Sequence, residues 1–221
     1  MLQHKSQHSG IGMTSARTRQ RLIQQLREMG VSNDKVLEVM EAIPRHIFVD
    51  EALASRAYEN TALPIGHGQT ISQPYIVGLM TQILFDQPRA NILEIGTGCG
   101  YQTAVLSAMC KKVVSVERIV KLHRQARDRL YDLGIRNTVF RHGDGFAGFV
   151  ENAPYDGILA AAVSQDIPAE LVTQLAVGGR AVMPVGRDDK QVLIVVDKTT
   201  KGLQKKEIEA VRFVPRLAGL S

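Results

Sequence analysis

The stretch Leu93-Glu94-Ile95-Gly96-Thr97-Gly98-Cys99-Gly100 decides how the rest of this 221-residue chain reads. An apolar run, Asn91–Ile95, leads into it, and a helical pattern over residues 101–110 follows. Glycines between a strand and a helix let the backbone turn sharply and let a ligand approach where a Cβ would clash. A second apolar run, residues 113–116, comes next and closes on Glu117, 21 residues after Gly96. A carboxylate at that place can accept hydrogen bonds from both ribose hydroxyls of an adenosine ligand. A Gly-x-Gly pattern alone is weak. With strand, helix, second strand and acid in this order, it points to a nucleoside site.

Working outward, short apolar runs alternate with helical segments from residue 90 on. Further runs are 138–140, 157–161, 180–184, 191–196 and 208–214, and helices fit at 119–133 and 168–176. The alternation predicts an α/β fold, a Rossmann-like, doubly wound, mostly parallel sheet with helices on both faces. The last two runs, joined by Lys198-Thr199-Thr200-Lys201-Gly202, read as a hairpin, so one late strand is expected to be antiparallel. Ahead of the glycines, Thr14 or Ser15 can cap a helix with apolar positions Leu22, Ile23, Leu26 and Met29, ended by Gly30. A second helix starts at Ser32 or Asn33 and stops at Pro44. An irregular stretch to about Gly68 follows, then a helix from Gln73 to about Leu84. The expected organisation is a disordered tail over 1–12, a helical and loop region over 13–88, and an α/β unit over 89–221, the last two forming one body.

Composition bounds the reading from outside. Hydrophobic residues at 44% suffice for a sizeable core, and no apolar run reaches the roughly 18 residues of a membrane helix. The N-terminus is polar and two cysteines make no disulfide framework, so a cytoplasmic protein is expected, with no membrane partner. The net charge of +5 raises the question of nucleic acid. Its excess lies in residues 61–145, with 10 basic against 6 acidic groups, much of it Arg118, Lys121, Arg124, Arg127 and Arg129 on one predicted helix. Without interleaved aromatics this reads as a solvated helix face, and no nucleic-acid partner is expected.

Two nucleoside ligands compete for the loop. A dinucleotide site prefers Gly-x-Gly-x-x-Gly, but here that third position is Tyr101 and the glycine comes one residue earlier, at Gly100. Glu94 at the strand's end repels phosphates and could attract the ammonium or sulfonium of S-adenosylmethionine. Downstream, in His142-Gly143-Asp144-Gly145, Asp144 is placed to accept from an adenine amino group, or serves only as a turn residue. The methyl donor is favoured.

The segment Gly66-His67-Gly68-Gln69-Thr70-Ile71-Ser72-Gln73-Pro74-Tyr75 is polar just ahead of an amphipathic helix. Read on physics alone, Ser72 is a helix N-cap with Pro74 tolerated in the first turn. A helix N-terminus also offers N–H groups to a carboxylate, so capping and ligand binding are compatible.

Together, Gly68–Pro74 and Leu93–Gly98 resemble the paired signature of the protein-L-isoaspartate (D-aspartate) O-methyltransferase family. Agreement extends to Glu41-Ala42-Ile43-Pro44-Arg45, Phe48-Val49, Tyr58, Gly143-Asp144-Gly145, Ala153-Pro154-Tyr155-Asp156, Gly178-Gly179-Arg180 and Arg212-Phe213-Val214-Pro215. Many relatives have leucine where Arg216 follows Pro215. The resemblance implies a class I S-adenosylmethionine methyltransferase that methylates the free α-carboxylate of L-isoaspartyl residues in damaged proteins, yielding S-adenosylhomocysteine. The ester then closes to a succinimide that can reopen to aspartate. It places Ser72 at the active site, bordered by Gln69, Thr70 and Ile71. It puts Gly96, Thr97 and Gly98 under the methionine part of the donor, Glu117 with Arg118 at the ribose, and Asp144 with Gly145 at the adenine; Glu94 and Gly100 are counted with the donor site. Thr70, Ser72, Val214 and Pro215 would meet the peptide, and a monomer is expected.

Other residues read plainly. The six histidines show no metal spacing beyond His4/His8, and no metal is expected. Cys99 reads as a packing residue rather than a nucleophile. A nucleic-acid methyltransferase is the main rival, without the Asn-Pro-Pro-Tyr or Asp-Pro-Pro-Tyr segment of its amino-methylating members. A nicotinamide oxidoreductase is disfavoured by the glycine spacing, and a non-enzymatic adaptor by the presence of Ser72 and the loop.

Overall fold

The computed structural model describes residues 12–215 and 219–220. The bulk of the expected tail, the His4/His8 pair and Arg216 lie outside the described residues. After a 3-10 turn at Gly12–Thr14, two α-helices come first among the described residues. Helix α1 (Ala16–Glu28) is capped by Ser15, whose side chain accepts the Thr18 N–H at 3.4 Å. Helix α2 (Asp34–Ala42) is capped by Asn33, which accepts the Val36 N–H at 3.2 Å. Each buries an apolar stripe, Leu22 and Leu26 on α1 and Val36, Leu37, Val39 and Met40 on α2.

The stretch expected to be irregular is more ordered than its composition indicates. Two 3-10 segments, Arg45–Phe48 and Glu51–Arg56, lead into an antiparallel hairpin of β1 (Leu63–Gly66) and β2 (Gln69–Ile71). Gly66 pairs with Gln69, and the two residues between them, His67 (φ 53°) and Gly68 (φ 67°), are both left-handed. That is the backbone of a tight primed turn, which matches strand twist. Strands of four and three residues are too short to show an alternating pattern, so the sequence does not announce them.

Helix α3 (Pro74–Leu84) leads into the main sheet, which carries β3 (Asn91–Ile95), β4 (Lys112–Glu117), β5 (Thr138–His142), β6 (Tyr155–Ala160), β7 (Leu175–Arg187), β8 (Lys190–Thr199) and β9 (Gly202–Val211). Helices α4 (Tyr101–Met109), α5 (Val120–Asp132) and α6 (Ala169–Thr173) connect them. The order is β5-β4-β3-β6-β7-β8-β9. Pairings from β5 to β7 are parallel, while β8 runs antiparallel to both β7 and β9. The late antiparallel strand is therefore β8, flanked by hairpins on both sides. Central β3 is buried on both faces from Ile92 to Ile95, as a covered parallel strand must be. Helix α6 is shorter than its pattern predicts, because Leu175 already pairs with Tyr155 of β6.

This order creates a switch point. The chain leaves β3 toward β4 on one side, and β6 lies on the other. The loops after β3 and β6 therefore diverge and leave a crevice at the strands' carboxyl ends. One apolar cluster joins Leu26, Leu37, Met40 and Phe48 to Tyr101, Ala104 and Leu130. It fastens the N-terminal helices to α4 and α5, and the β2–α3 connection closes one side of the crevice.

Candidate active site

The glycine loop is held open by its own backbone and by an acid. Gly96 (φ 91°), Gly98 (φ 55°) and Gly100 (φ 90°) are all left-handed, a region that side-chain-bearing residues rarely adopt. The Gly96 N–H reaches the Val116 carbonyl at 2.9 Å. Glu117, buried at the end of β4, accepts the Gly98 N–H and the Ile119 N–H, each at 2.9 Å. Its carboxylate thus ties the first glycine turn to the entry of α5. Arg129 of α5 adds a bond from Nη1 to the Cys99 carbonyl at 2.7 Å. Of the cationic cluster expected on one helix face, Lys121, Arg124 and Arg127 are solvated, whereas Arg129 is half-buried and supports the loop.

Around this turn lies a cavity whose free space, counted with the solvent at its open mouth, is about 860 Å³. Gln69, Thr70, Ile71 and Ser72 form one side, and Gly96, Thr97 and Gly98 with Glu117 and Arg118 another. Gly145, Val214 and Pro215 complete the predicted residues in its wall. Ser72 and the loop, 24 positions apart by number, therefore share one cavity. A second, wider groove opens beside it and shares Thr70, Val214 and Pro215. The Val163 N–H to Val214 carbonyl bond, 3.0 Å, fixes this shared wall.

Ser72 does not cap α3. The N-cap is Gln73, without a side-chain bond, and the Tyr75 N–H is taken by Asn60 Oδ1 at 2.9 Å. The Ser72 carbonyl accepts from Arg45 Nη2 at 2.7 Å, and its half-buried hydroxyl has no partner among the described residues. The capping expectation fails because a distant asparagine occupies the position first. The hydroxyl stays available to a ligand.

Three predicted residues stand outside the wall. Gly100 N-caps α4 with its back to α5, where a Cβ would lie 2.7 Å from Leu130 Cδ1. Asp144 accepts the Phe146 N–H at 2.9 Å and the Gly219 N–H at 2.8 Å, as a turn residue does. Glu94 is fully buried under the loop, accepting from Thr103 Oγ1 at 2.5 Å and Ser115 Oγ at 2.6 Å. Burial pushes its carboxyl up to about 7, against the two hydroxyl donors and with help from nearby Glu117.

The model of the Protein-L-isoaspartate(D-aspartate) O-methyltransferase family matches residues 17–220. This chain belongs to that family. It is 54% identical to an Alcanivorax borkumensis protein-L-isoaspartate O-methyltransferase, covering 97% of this chain and 98% of the relative. It is 56% identical to one from Methylobacillus flagellatus, covering 96% of each. Among solved structures, one protein-L-isoaspartate O-methyltransferase superposes with a TM-score of 0.83 at 30% identity, covering 91% of this chain and 67% of that one. A Plasmodium falciparum protein described as a member of the family, solved with S-adenosyl-L-homocysteine, gives 0.79 at 25% identity over 90% and 98% of the two chains.

The family's methyl donor fits the residues present here. Gly96 and Gly98 line the cavity with backbone alone, and Glu117, a buried carboxylate bonded to two backbone N–H groups, stands in the same wall. Tyr101, Gln102, Ile119 and the Ala161–Ala162 turn after β6 also line the cavity, and sequence reasoning did not single them out. Ala161 and Ala162 carry no motif, and only the sheet order brings them opposite Gly96. Arg45, fully buried and bonded to both the Ala57 and Ser72 carbonyls, was visible only as part of the family's Pro-Arg pair.

Proposed function

We propose that the cavity seats the methyl donor with its ribose on Glu117 beside Arg118, its methionine end over Gly96–Gly98, and its adenine toward Gly145 and the Asp144 turn. The adjoining groove takes a peptide chain, whose acceptor carboxylate reaches the donor past Thr70, Val214 and Pro215, oriented by Ser72. The chain is an S-adenosylmethionine-dependent protein-L-isoaspartate O-methyltransferase. Bound in the cavity, S-adenosylmethionine supplies a methyl group on a sulfonium.

This chain's own residues bind, orient and exclude water. The acceptor, an L-isoaspartyl α-carboxylate, has an unperturbed pKa near 4 and is ionised at neutral pH. No general base is needed. Burial raises the Cys99 thiol above its ordinary value and pushes Tyr101 up to about 12, so both wall groups stay protonated at neutral pH. Rate enhancement then comes from alignment and from removing water around the carboxylate. Ser72 serves as a donor to that carboxylate, since among the described residues no base bonds its hydroxyl to make it a nucleophile.

One observation carries this reading: the Ser72 hydroxyl, without a partner among the described residues, and the glycine loop lie in one cavity that shares Thr70, Val214 and Pro215 with a wider groove. The groove also supports a protein rather than nucleic-acid acceptor, because acidic Asp166, Glu170 and Asp188 line it beside Arg187 and Arg212. We read the enzyme as a cytoplasmic monomer; no described helix is long and apolar enough to cross a membrane. The test offers matched peptides, one with isoaspartate and one with aspartate, and labelled donor. Methyl incorporation into the isoaspartyl peptide alone is expected, and equal labelling of both, or labelling of RNA, would refute it.

A further inference from the structure

Beneath the glycine loop runs a chain of side-chain hydrogen bonds that reaches the cavity wall. Thr103 Oγ1 and Ser115 Oγ both donate to Glu94 Oε2, at 2.5 and 2.6 Å. Thr97 Oγ1 lies 2.5 Å from Ser115 Oγ. All four side chains are at most 3% exposed, and Thr97 belongs to the cavity wall. The direction of each bond follows from counting protons. A serine hydroxyl has one, and Ser115 gives its proton to the carboxylate. Thr97 must then donate to Ser115, which leaves its own oxygen able to meet a ligand only as an acceptor.

We propose that Ser115, Thr103 and Glu94 are positioning residues that fix the Thr97 hydroxyl as an acceptor toward the cavity, so that the pocket selects the cationic ammonium end of the methyl donor. This deepens, and rests on, the reading that the donor's methionine end lies over Gly96–Gly98. If Glu94 gains a proton on Oε2, the oxygen that faces Ser115, the chain can invert. The carboxyl then donates to Ser115, Ser115 donates to Thr97, and the Thr97 proton is released toward the cavity, where it opposes an ammonium. Glu94 Oε1 is buried without a partner among the described residues, so no hydrogen bond beyond the two on Oε2 holds the carboxylate ionised. The charged group acting on it is Glu117 from the neighbouring strand, which with burial holds its carboxyl near neutrality, while Ser115 of β4 and Thr103 of α4 oppose that rise. A bound ammonium favours the ionised form, so the proton leaves Glu94 for the buffer on binding.

S-adenosylhomocysteine, which keeps the ammonium but has no sulfonium, is the probe. Calorimetry of its binding at about pH 7, in buffers of different ionisation enthalpy, is expected to show release of up to about half a proton by the native protein. Glu94→Gln is expected to abolish that release. Thr97→Val and Ser115→Ala are each expected to weaken binding about tenfold. Their double variant should be no weaker than either single one, because both break the same chain. A merely structural role would lower melting temperature and affinity together and leave the proton release intact. Ser115→Ala with native affinity beside a weakened Thr97→Val, or additive losses in the double variant, would overturn the chain. A Thr97→Val protein with native affinity would instead overturn the placement of the donor's methionine end.

Discussion

Replacing Glu117 by glutamine tests how the cavity holds its nucleoside. The native carboxylate accepts two backbone N–H groups at 2.9 Å, from Gly98 and Ile119, while 6% exposed, and keeps lone pairs for ribose hydroxyls. Glutamine keeps one oxygen. Its amide nitrogen must face either the second N–H or the ligand, so one hydrogen bond to a charged acceptor is lost, worth about 1.5–3 kcal/mol. That corresponds to S-adenosylhomocysteine binding about 10- to 150-fold more weakly. The unpaired buried donor costs the fold about 1–3 kcal/mol, a drop of several degrees in melting temperature, so a folded protein remains for titration. Isothermal titration calorimetry reads the affinity, and circular dichroism the folding. A folded Glu117→Gln protein with native affinity within about threefold would show that Glu117 only braces the loop.

Other changes separate binding, chemistry and folding. Ser72→Ala is expected to lower kcat for an isoaspartyl peptide by about tenfold or more while leaving S-adenosylhomocysteine affinity near native; equal losses in turnover and calorimetry would contradict an orienting hydroxyl. Gly100→Ala puts a methyl 2.7 Å from Leu130 Cδ1 at a φ of 90°, and is expected to lose about 1–3 kcal/mol in denaturant unfolding. Glu94 predicts a pH dependence of stability. Its folded carboxyl is raised from 4.5 to about 7, so the native state binds more protons in that window and stability falls as pH rises through it. The effect is absent below about pH 4.5 and reaches about 3 kcal/mol above about pH 7. Glu94→Gln should remove this slope, and parallel melting-temperature profiles of native and variant protein from about pH 5 to pH 8 would refute it.

Much of the fold was legible because its signals are local. The caps at Ser15 and Asn33, the apolar runs of the parallel strands and the glycine turn each depend on residues a few positions apart. Elements that form against a weak local pattern are not announced by their sequence. The β1–β2 hairpin is too short for periodicity, and α6 gives way to β7 because pairing with β6 outweighs helical spacing. Ser72 shows the same limit at the site, since its capping propensity lost to Asn60, 15 residues from the N–H that it takes.

What the sequence alone determined is the chemistry on offer: left-handed glycine positions after a strand, an acid 21 residues on, and a polar segment ending in Ser72. Tertiary structure decided which groups face the ligand. The sheet order set Ala161 and Ala162 opposite Gly96, and hairpin closure brought Gln69–Ser72 to the cavity rim. Packing buried Glu94 beneath the loop and set Gly100 against α5, while Asp144 closes a turn with Phe146 and Gly219. Side-chain direction depends on which strand lies alongside and which hydrogen-bond partner arrives first, and neither is written in the spacing of a motif.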